Sequence, residues 1–190
     1  YGEVRMSICK AIGNMGPLAK NAVPQLILQL EDMDEMVVQA SAEALGNIGA
    51  AARSAIPHLI HVLSSYGVVE RETAAKALAK MGKDAIPKLV HLLRFSEDPG
   101  ARQGAAMAIK YMGSDASFAV SSLILALRMD IPIVKKEAAL AIGAIGPVSS
   151  ACIQVLLDSS KDEDEIVRNA VAEALPKMGK NIVSLIMSAL

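Results

Sequence analysis

Six glycines recur along the chain at an almost constant interval of 31 to 33 residues. They are Gly16, Gly49, Gly82, Gly113, Gly146 and Gly179. Self-similarity at a fixed period of this length is typical of stacked repeat proteins, in which each unit packs on its neighbours. The interval therefore predicts an array of about six short units rather than one globular core.

Other positions keep the same register relative to these glycines. The fifth residue before each glycine is always alanine, and the fourth is always Ile or Leu. The second unit has Val38 eleven residues before its glycine, whereas every other unit has a cation there. These cations are Arg5, Arg71, Arg102, Lys135 and Arg168. Agreement at several positions means that the repeat does not rest on glycine alone.

The hydrophobic pattern of one unit predicts two helices. Apolar and small residues between Val37 and Ile48 recur at spacings of three and four, which gives one apolar helix face. Gly49 is expected to end this helix, because glycine tolerates the left-handed conformation that closes a helix. A short loop over residues 50–56 follows. Pro57 then fits a first helical turn, where its missing N–H costs nothing. The chain is therefore predicted to be all-α, an α-solenoid of about six stacked two-helix repeats.

Three segments give this pattern a family resemblance. Residues 42–49, 139–146 and 165–168 resemble HEAT repeats, and the resemblance covers the whole chain. The short period and the alanine-rich first helix are most similar to the compact repeats named for phycobilisome lyases. The resemblance implies that the second helices line the concave side of the stack.

The resemblance also implies a ladder of ion pairs. In HEAT families an acidic residue often pairs with the recurrent cation along the stack. The acids that could serve here are Asp34, Asp98, Asp130 and Asp164. Val38 would interrupt the ladder once, because it replaces the cation of the second unit.

The repeat register defines the expected domain organisation. One array spans residues 1–190, with units at about 2–32, 33–66, 67–96, 97–128, 129–160 and 161–190. Neither end shows the polar capping face that terminal repeats usually carry. We therefore expect the array to be part of a longer solenoid.

Charge and composition bear on the class of partner. The formal net charge is −1, from 19 cations and 20 anions, and no basic stripe is visible, so no nucleic-acid partner is expected. Residues 138–157 carry no charge, but Gly143, Gly146 and Pro147 interrupt them, so no membrane span or membrane partner is predicted. Cys9 and Cys152 lie far apart in the stack, which favours two buried thiols in a reducing, intracellular and cytoplasmic location.

The sequence contains no recognisable constellation of catalytic groups. His58 and His61 share a helix face and His91 follows one repeat later, but zinc needs three or four ligands and no cysteine accompanies them. No histidine precedes glutamate, as it does in the HEAT-type deoxyhypusine hydroxylases. The basic, aromatic face of HEAT-like DNA glycosylases is also missing. We therefore predict no metal and no cofactor. Catalysis stays undecided, with a non-catalytic role favoured.

The outward positions of the second helices are the best candidate site. Lys88 is the only formally charged residue among them. Interface cores are depleted in charge, although deeper packing of the second helices would give the same pattern. The predicted contact residues are Gln25, Gln29, His58, His61, Val62, Lys88, His91, Leu92, Ser122 and Leu125.

Two functions follow as hypotheses. The first is a non-catalytic scaffold or adaptor that binds another protein, as a helix or an extended peptide, in the concave groove. The alternative rests on the subtype resemblance and is a bilin-lyase-type protein that handles a chromophore and its acceptor protein. The oligomeric state stays open.

Overall fold

A computed structural model describes residues 1–147, 150–179, 182–183 and 187 of the chain. Within these residues every regular element is helical and no strand occurs. The all-α prediction is therefore confirmed. The second helix of the sixth predicted unit falls largely outside the described residues.

Helices alternate in the order that the sequence predicts. The first helices of the successive units are α1 (Gly2–Asn14), α3 (Glu35–Ile48), α5 (Val68–Met81), α7 (Pro99–Met112), α9 (Pro132–Ile145) and α11 (Glu165–Ala174). The second helices are α2 (Val23–Gln29), α4 (Ile56–Ser65), α6 (Ile86–Phe95), α8 (Val120–Met129) and α10 (Ser150–Ser159). Short 3-10 helices join several of these pairs.

The helices form two compact units, residues 1–89 and 90–190. In the first unit α3 packs between α1 and α5, and α2 and α4 each pack against the first helix that follows them. The second unit repeats this plan, with α9 between α7 and α11 and with α8 against α9. Each layer thus buries its apolar face on a neighbouring layer, as in a helical solenoid.

The six recurrent glycines all have a positive φ, between 57° and 96°. At Gly49, ψ is −138° and at Gly82 it is −162°, so these glycines leave the left-handed helical region for one that only glycine occupies readily. The expected loop over residues 50–56 is wrong. A 3-10 helix, Gly49–Ala55, leads directly into α4, whose first turn contains Pro57 as predicted.

Neighbouring first helices approach each other very closely. A Cβ atom added to Gly46 would lie 2.8 Å from the Cα atom of Ala77 on the next first helix. A Cβ atom added to Gly143 would likewise lie 2.8 Å from the Cα atom of Ala174. Real Cβ atoms do not approach a backbone carbon so closely, so glycine on one helix and alanine on the next are required together. This contact explains the recurrent alanine at Ala44, Ala77 and Ala174, whereas the equivalent positions of the helices before Ala108 and Ala141 hold Ala79 and Lys110 rather than glycine.

Ion pairs with an acid just before the next first helix occur at the recurrent cations of the first, fourth and fifth repeats. The guanidinium of Arg5 bonds both carboxylate oxygens of Asp32, at 2.6 and 2.9 Å. Arg102 bonds both oxygens of Asp130 at 2.7 Å, and Lys135 Nζ lies 2.8 Å from Asp162. The cation therefore pairs with an acid in the turn that precedes the next first helix.

The ladder acids inferred from the family resemblance are correct only at Asp130. Asp34, Asp98 and Asp164 instead cap first helices, because their carboxylates accept hydrogen bonds from backbone N–H groups two or three residues ahead. Two of the acids that pair with cations, Asp32 and Asp162, lie two residues before such a cap.

These ion pairs predict that the free energy of unfolding falls in acid. Hydrogen bonds from Arg5 hold the pKa of Asp32 below its ordinary value, and Lys135 does the same for Asp162. The unfolded chain therefore takes up protons at a higher pH than the folded chain. The pairs stabilise the fold above about pH 4, and this contribution is lost as the pH falls through the lowered native pKa values.

The expected result is a thermal midpoint that declines below about pH 4. In a variant with Arg5→Met and Lys135→Met the midpoint should already be lower at neutral pH and should decline less steeply in acid. Circular dichroism melts across this range provide the measurement. Parallel curves for the two proteins would contradict the assignment.

Candidate partner-binding surface

One position of the second helix is exposed in each of the first four repeats. Leu28 is 61% exposed and Leu125 is 43% exposed, and His61 and His91 at the equivalent position are also exposed. The position three residues earlier is also exposed, at Gln25, His58 and Lys88. These parts of the predicted surface are thus available to a partner.

Two residues of the predicted surface are not exposed. Val62 is 1% exposed and Ser122 is 6% exposed, so the expectation that they point outward is wrong. Val62 belongs to α4, which packs against α5. Gln29 and Leu92 are half-buried. We therefore omit Val62 from the residues that could contact a partner, whereas Ser122 lines a pocket next to α8.

In the first compact unit, residues 1–89, a pocket of about 230 Å³ lies between α1 and α2. Gln25 and Gln29 from α2 line one side, and Ile8 and Ile12 from α1 line the other. The side-chain oxygen of Gln29 is buried and accepts no hydrogen bond from the described residues. The pocket thus brings together two predicted contact residues, one of them half-buried.

In the second compact unit, residues 90–190, a pocket of about 280 Å³ lies between the end of α6 and α8. Its buried floor contains Leu93 and Ala126. Leu125 and Met129 form an apolar wall, and Met129 is 79% exposed. The guanidinium-bearing side chain of Arg94 completes the lining from α6. An apolar side chain flanked by polar groups would fit this pocket.

The histidines lie in both units. His58 and His61 belong to α4, where Ser65 Oγ lies 3.3 Å from the ring of His61. In the second unit the ring of His91 packs on Phe95, with centroids 5.0 Å apart and an interplanar angle of 50°. The guanidinium of Arg94 lies 5.2 Å from the centre of the Phe95 ring.

No group of three or more His, Cys, Asp or Glu side chains within the described ranges is arranged to hold a metal ion. Burial raises the pKa of the Cys9 thiol and that of the Cys152 thiol. Both thiols are therefore kept protonated, and a protonated thiol is a poor nucleophile and a poor metal ligand.

Acidic side chains are unevenly distributed between the two sets of helices, and the acid that the described second helices do carry is Asp158 of α10. No Asp or Glu occurs in α2, α4, α6 or α8, which carry the cations Lys88, Arg94 and Arg128. The first helices carry the acids Glu3, Glu35, Glu43, Glu70, Glu72, Glu137, Glu165 and Glu173. Sequence reasoning noted the shortage of charge on the second helices but missed its sign. Counting the acids helix by helix would have revealed it.

Comparison with known proteins agrees with this architecture. A sequence model described as HEAT repeats matches residues 1–71 and again residues 56–130, which together exceed half of the chain. The chain belongs to the HEAT-repeat family. A comparison with curated protein sequences found no significant match.

Several solved structures share the fold. An engineered protein is 25% identical, with a TM-score of 0.53, and the match covers 97% of this chain and 92% of that one. The complex of CpcE and CpcF of phycocyanin lyase from Nostoc sp. PCC7120 is 17% identical, with a TM-score of 0.65, over 81% of this chain and 98% of that one. A designed armadillo repeat protein in complex with the peptide (KR)4 is 20% identical, with a TM-score of 0.50, over 92% and 91% of the two chains.

The uncharged stretch over residues 138–157 is divided between two helices. α9 ends at Ile145, Gly146 has a φ of 89°, and α10 begins at Ser150. In the part of the chain that the structure describes, none of the helices combines the length and the apolar character needed to cross a bilayer.

Proposed function

We propose that this HEAT-repeat protein is a non-catalytic scaffold or adaptor that binds another protein through the exposed faces of its second helices. The partner would contribute a helix or an extended peptide. The observation that carries the proposal is the composition of these faces. They expose apolar side chains such as Leu28 and Leu125 and contain no carboxylate on α2, α4, α6 or α8.

The physical basis is the cost of desolvation. A charged group at the centre of an interface loses its water, and interface cores are accordingly depleted in charged residues. Deeper packing of the second helices would also deplete charge, so the exposure of Leu28 and Leu125 on these helices is what supports an interface. The first helices of the same chain carry eight acids, so the exclusion is local.

Two of the fold relatives are seen bound to other polypeptides. The designed armadillo protein described above is seen with a bound peptide, and the CpcE and CpcF chains are seen in a complex. Both likenesses lie below 25% identity and therefore support the architecture alone. The (KR)4 peptide is strongly basic, and the second helices of this chain offer it no acidic residue on α2, α4, α6 or α8.

The test compares two charge-changing variants in partner capture. His61→Asp with His91→Asp places new charges on α4 and on α6. We expect this pair to weaken partner binding by about 2 kcal/mol, or roughly thirtyfold in Kd, because central interface residues carry most of the affinity. Captured proteins are identified by mass spectrometry and their affinities are then measured with purified components.

The matched control alters the first helices. Glu43→Lys with Lys76→Glu changes exposed residues of α3 and α5 and keeps the net charge. This pair should leave capture intact. If it abolishes binding while the histidine pair does not, the first helices form the working face and the proposal is wrong.

The second candidate is a lyase-type HEAT protein that handles a bilin and its acceptor protein. The TM-score of 0.65 with the phycocyanin lyase complex favours it among the fold relatives. This likeness extends to the fold alone, so protein binding stays the main proposal. A change in bilin absorbance on mixing the pigment with the protein would favour the lyase-type function.

A further inference from the structure

We infer that the pocket between the end of α6 and α8, in the second unit, binds an acidic amphipathic helix of a partner protein. The helix would place an aliphatic side chain against Leu125 and Met129, and carboxylates near Arg94 and Arg128. This inference rests on the proposed function and adds the chemistry of the partner.

The apolar part of the pocket determines the anchor. Leu93 and Ala126 form a buried floor, and Leu125 and Met129 stand exposed beside it. Methionine is flexible and polarizable, so its exposed side chain can adapt to an incoming aliphatic group. A helix in a groove presents such groups at spacings of three and four residues.

The single acid in the pocket is neutralised from within. Both carboxylate oxygens of Asp130 accept hydrogen bonds from Arg102, at 2.7 Å, and one also accepts from the backbone N–H of Ile131. Only 10% of the Asp130 side chain is exposed. This carboxylate therefore repels an approaching acidic group very little.

Two cations are available to a partner, Arg94 in the pocket lining and Arg128 on the exposed surface of α8. Arg94 and Arg128 are both exposed, and neither forms an ion pair with any described residue. Arg128 lies three residues after Leu125, so both occupy neighbouring positions on the surface of α8. No acid occurs on α6 or α8, and of the two acids in the turn after α6, Asp98 caps α7 while Glu97 is exposed. The charge on this face is thus complementary to carboxylates.

A polypeptide fits these observations better than a nucleic acid does. Nucleic-acid binding at physiological salt draws on many phosphate contacts, on the order of 6–10 for a specific site. This face offers an apolar cleft and two arginines that form no ion pair with the described residues. Carboxylates spaced along one amphipathic helix need no more than this.

The experiment uses the full chain and two labelled peptides, each two heptads long. Leucine recurs at helical spacing in both, and the other positions carry glutamate in one peptide and lysine in its counterpart. Fluorescence anisotropy gives each Kd. The acidic peptide should bind about tenfold more tightly than the basic one. Arg94→Glu with Arg128→Glu should weaken binding of the acidic peptide about tenfold and improve that of the basic peptide.

Two further variants separate the contributions. Leu125→Asp should also weaken the acidic peptide, because it removes the apolar wall and adds a like charge. Lys20→Glu with Lys161→Glu gives the same change of net charge at exposed residues on neither α6 nor α8, and should have little effect. Far-ultraviolet circular dichroism shows that each variant keeps its helical content.

Three results would overturn the inference. They are equal binding of both peptides or no binding of either, a charge reversal on α6 and α8 that matters no more than its control, and tighter binding of a labelled oligothymidine than of the acidic peptide. If any of these occurs while partner capture still depends on the second helices, the proposed function stands and this inference fails. If capture does not depend on the second helices, the proposed function itself fails.

Discussion

Replacing Gly46 with alanine will lower the free energy of unfolding by about 1–3 kcal/mol, the usual cost of overpacking. The added Cβ would lie 2.8 Å from the Cα atom and 3.0 Å from the Cβ atom of Ala77. Neither atom belongs to a flexible side chain, so the two helices must separate. In an exposed helix the same change would stabilise by roughly 0.5–1 kcal/mol, because glycine loses more backbone entropy than alanine. A loss of stability would therefore identify the helix contact as its cause.

The measurement is urea unfolding monitored by circular dichroism. Glu43→Ala on the same helix is the matched control, since Glu43 is exposed and the change adds no atom to the contact. It should alter stability by no more than about 0.5 kcal/mol. A Gly46→Ala protein that is as stable as the original, or more so, would show that the helices accommodate the methyl group by a small shift.

The second large effect is expected at Arg102. Its guanidinium bonds both oxygens of Asp130 and also donates to the carbonyl oxygens of Ser96 and Glu97, at 2.9 and 3.0 Å. Arg102→Met keeps much of the volume but leaves a largely buried carboxylate and two carbonyls without their donor. Breaking such a pair from one side is strongly destabilising, and we expect a loss of about 2–3 kcal/mol in this partly exposed setting.

A double-mutant cycle tests the cause. Asp130→Asn combined with Arg102→Met should cost less than the sum of the two single changes, because the unpaired charge has been removed. Arg94→Met is the control for loss of an arginine, and should change stability by at most about 0.5 kcal/mol. Additive effects in the cycle would mean that Arg102 acts through its carbonyl contacts alone.

Much of the fold follows from sequence because each structural position occurs in several repeats, and the residues found there can be compared. The interval between glycines, the recurrent alanine and Pro57 in a first helical turn all predict features that the structure contains. The 3-10 helix after Gly49 was missed, because short 3-10 segments leave no periodic pattern of their own. The Gly46 contact was also missed, since it depends on the distance between two helices rather than on either sequence.

The surface was harder to predict, because one residue of error on a helix turns a side chain by about 100°. Val62 illustrates this error, since it lies only one residue after the exposed His61 and yet is buried. The ladder acids were misplaced by a similar amount along the chain. Asp34 and Asp32 are two residues apart and both acidic, and only coordinates show which caps the helix and which bonds Arg5.

The acids in the turns before the first helices link each layer to the helix that follows it along the chain. Asp32 accepts hydrogen bonds both from Arg5 in the preceding layer and from the backbone N–H of Asp34, which caps α3. The start of a helix is therefore held in place by the layer before it, so loss of one layer exposes the first turn of the next. At α5 this link has another form, because Val38 replaces the cation and Gly67 precedes the helix without a side-chain cap, while Gln39 of α3 donates a hydrogen bond to Glu70 in the first turn of α5. Unfolding that starts at the amino-terminal layer should thus pass readily into α3.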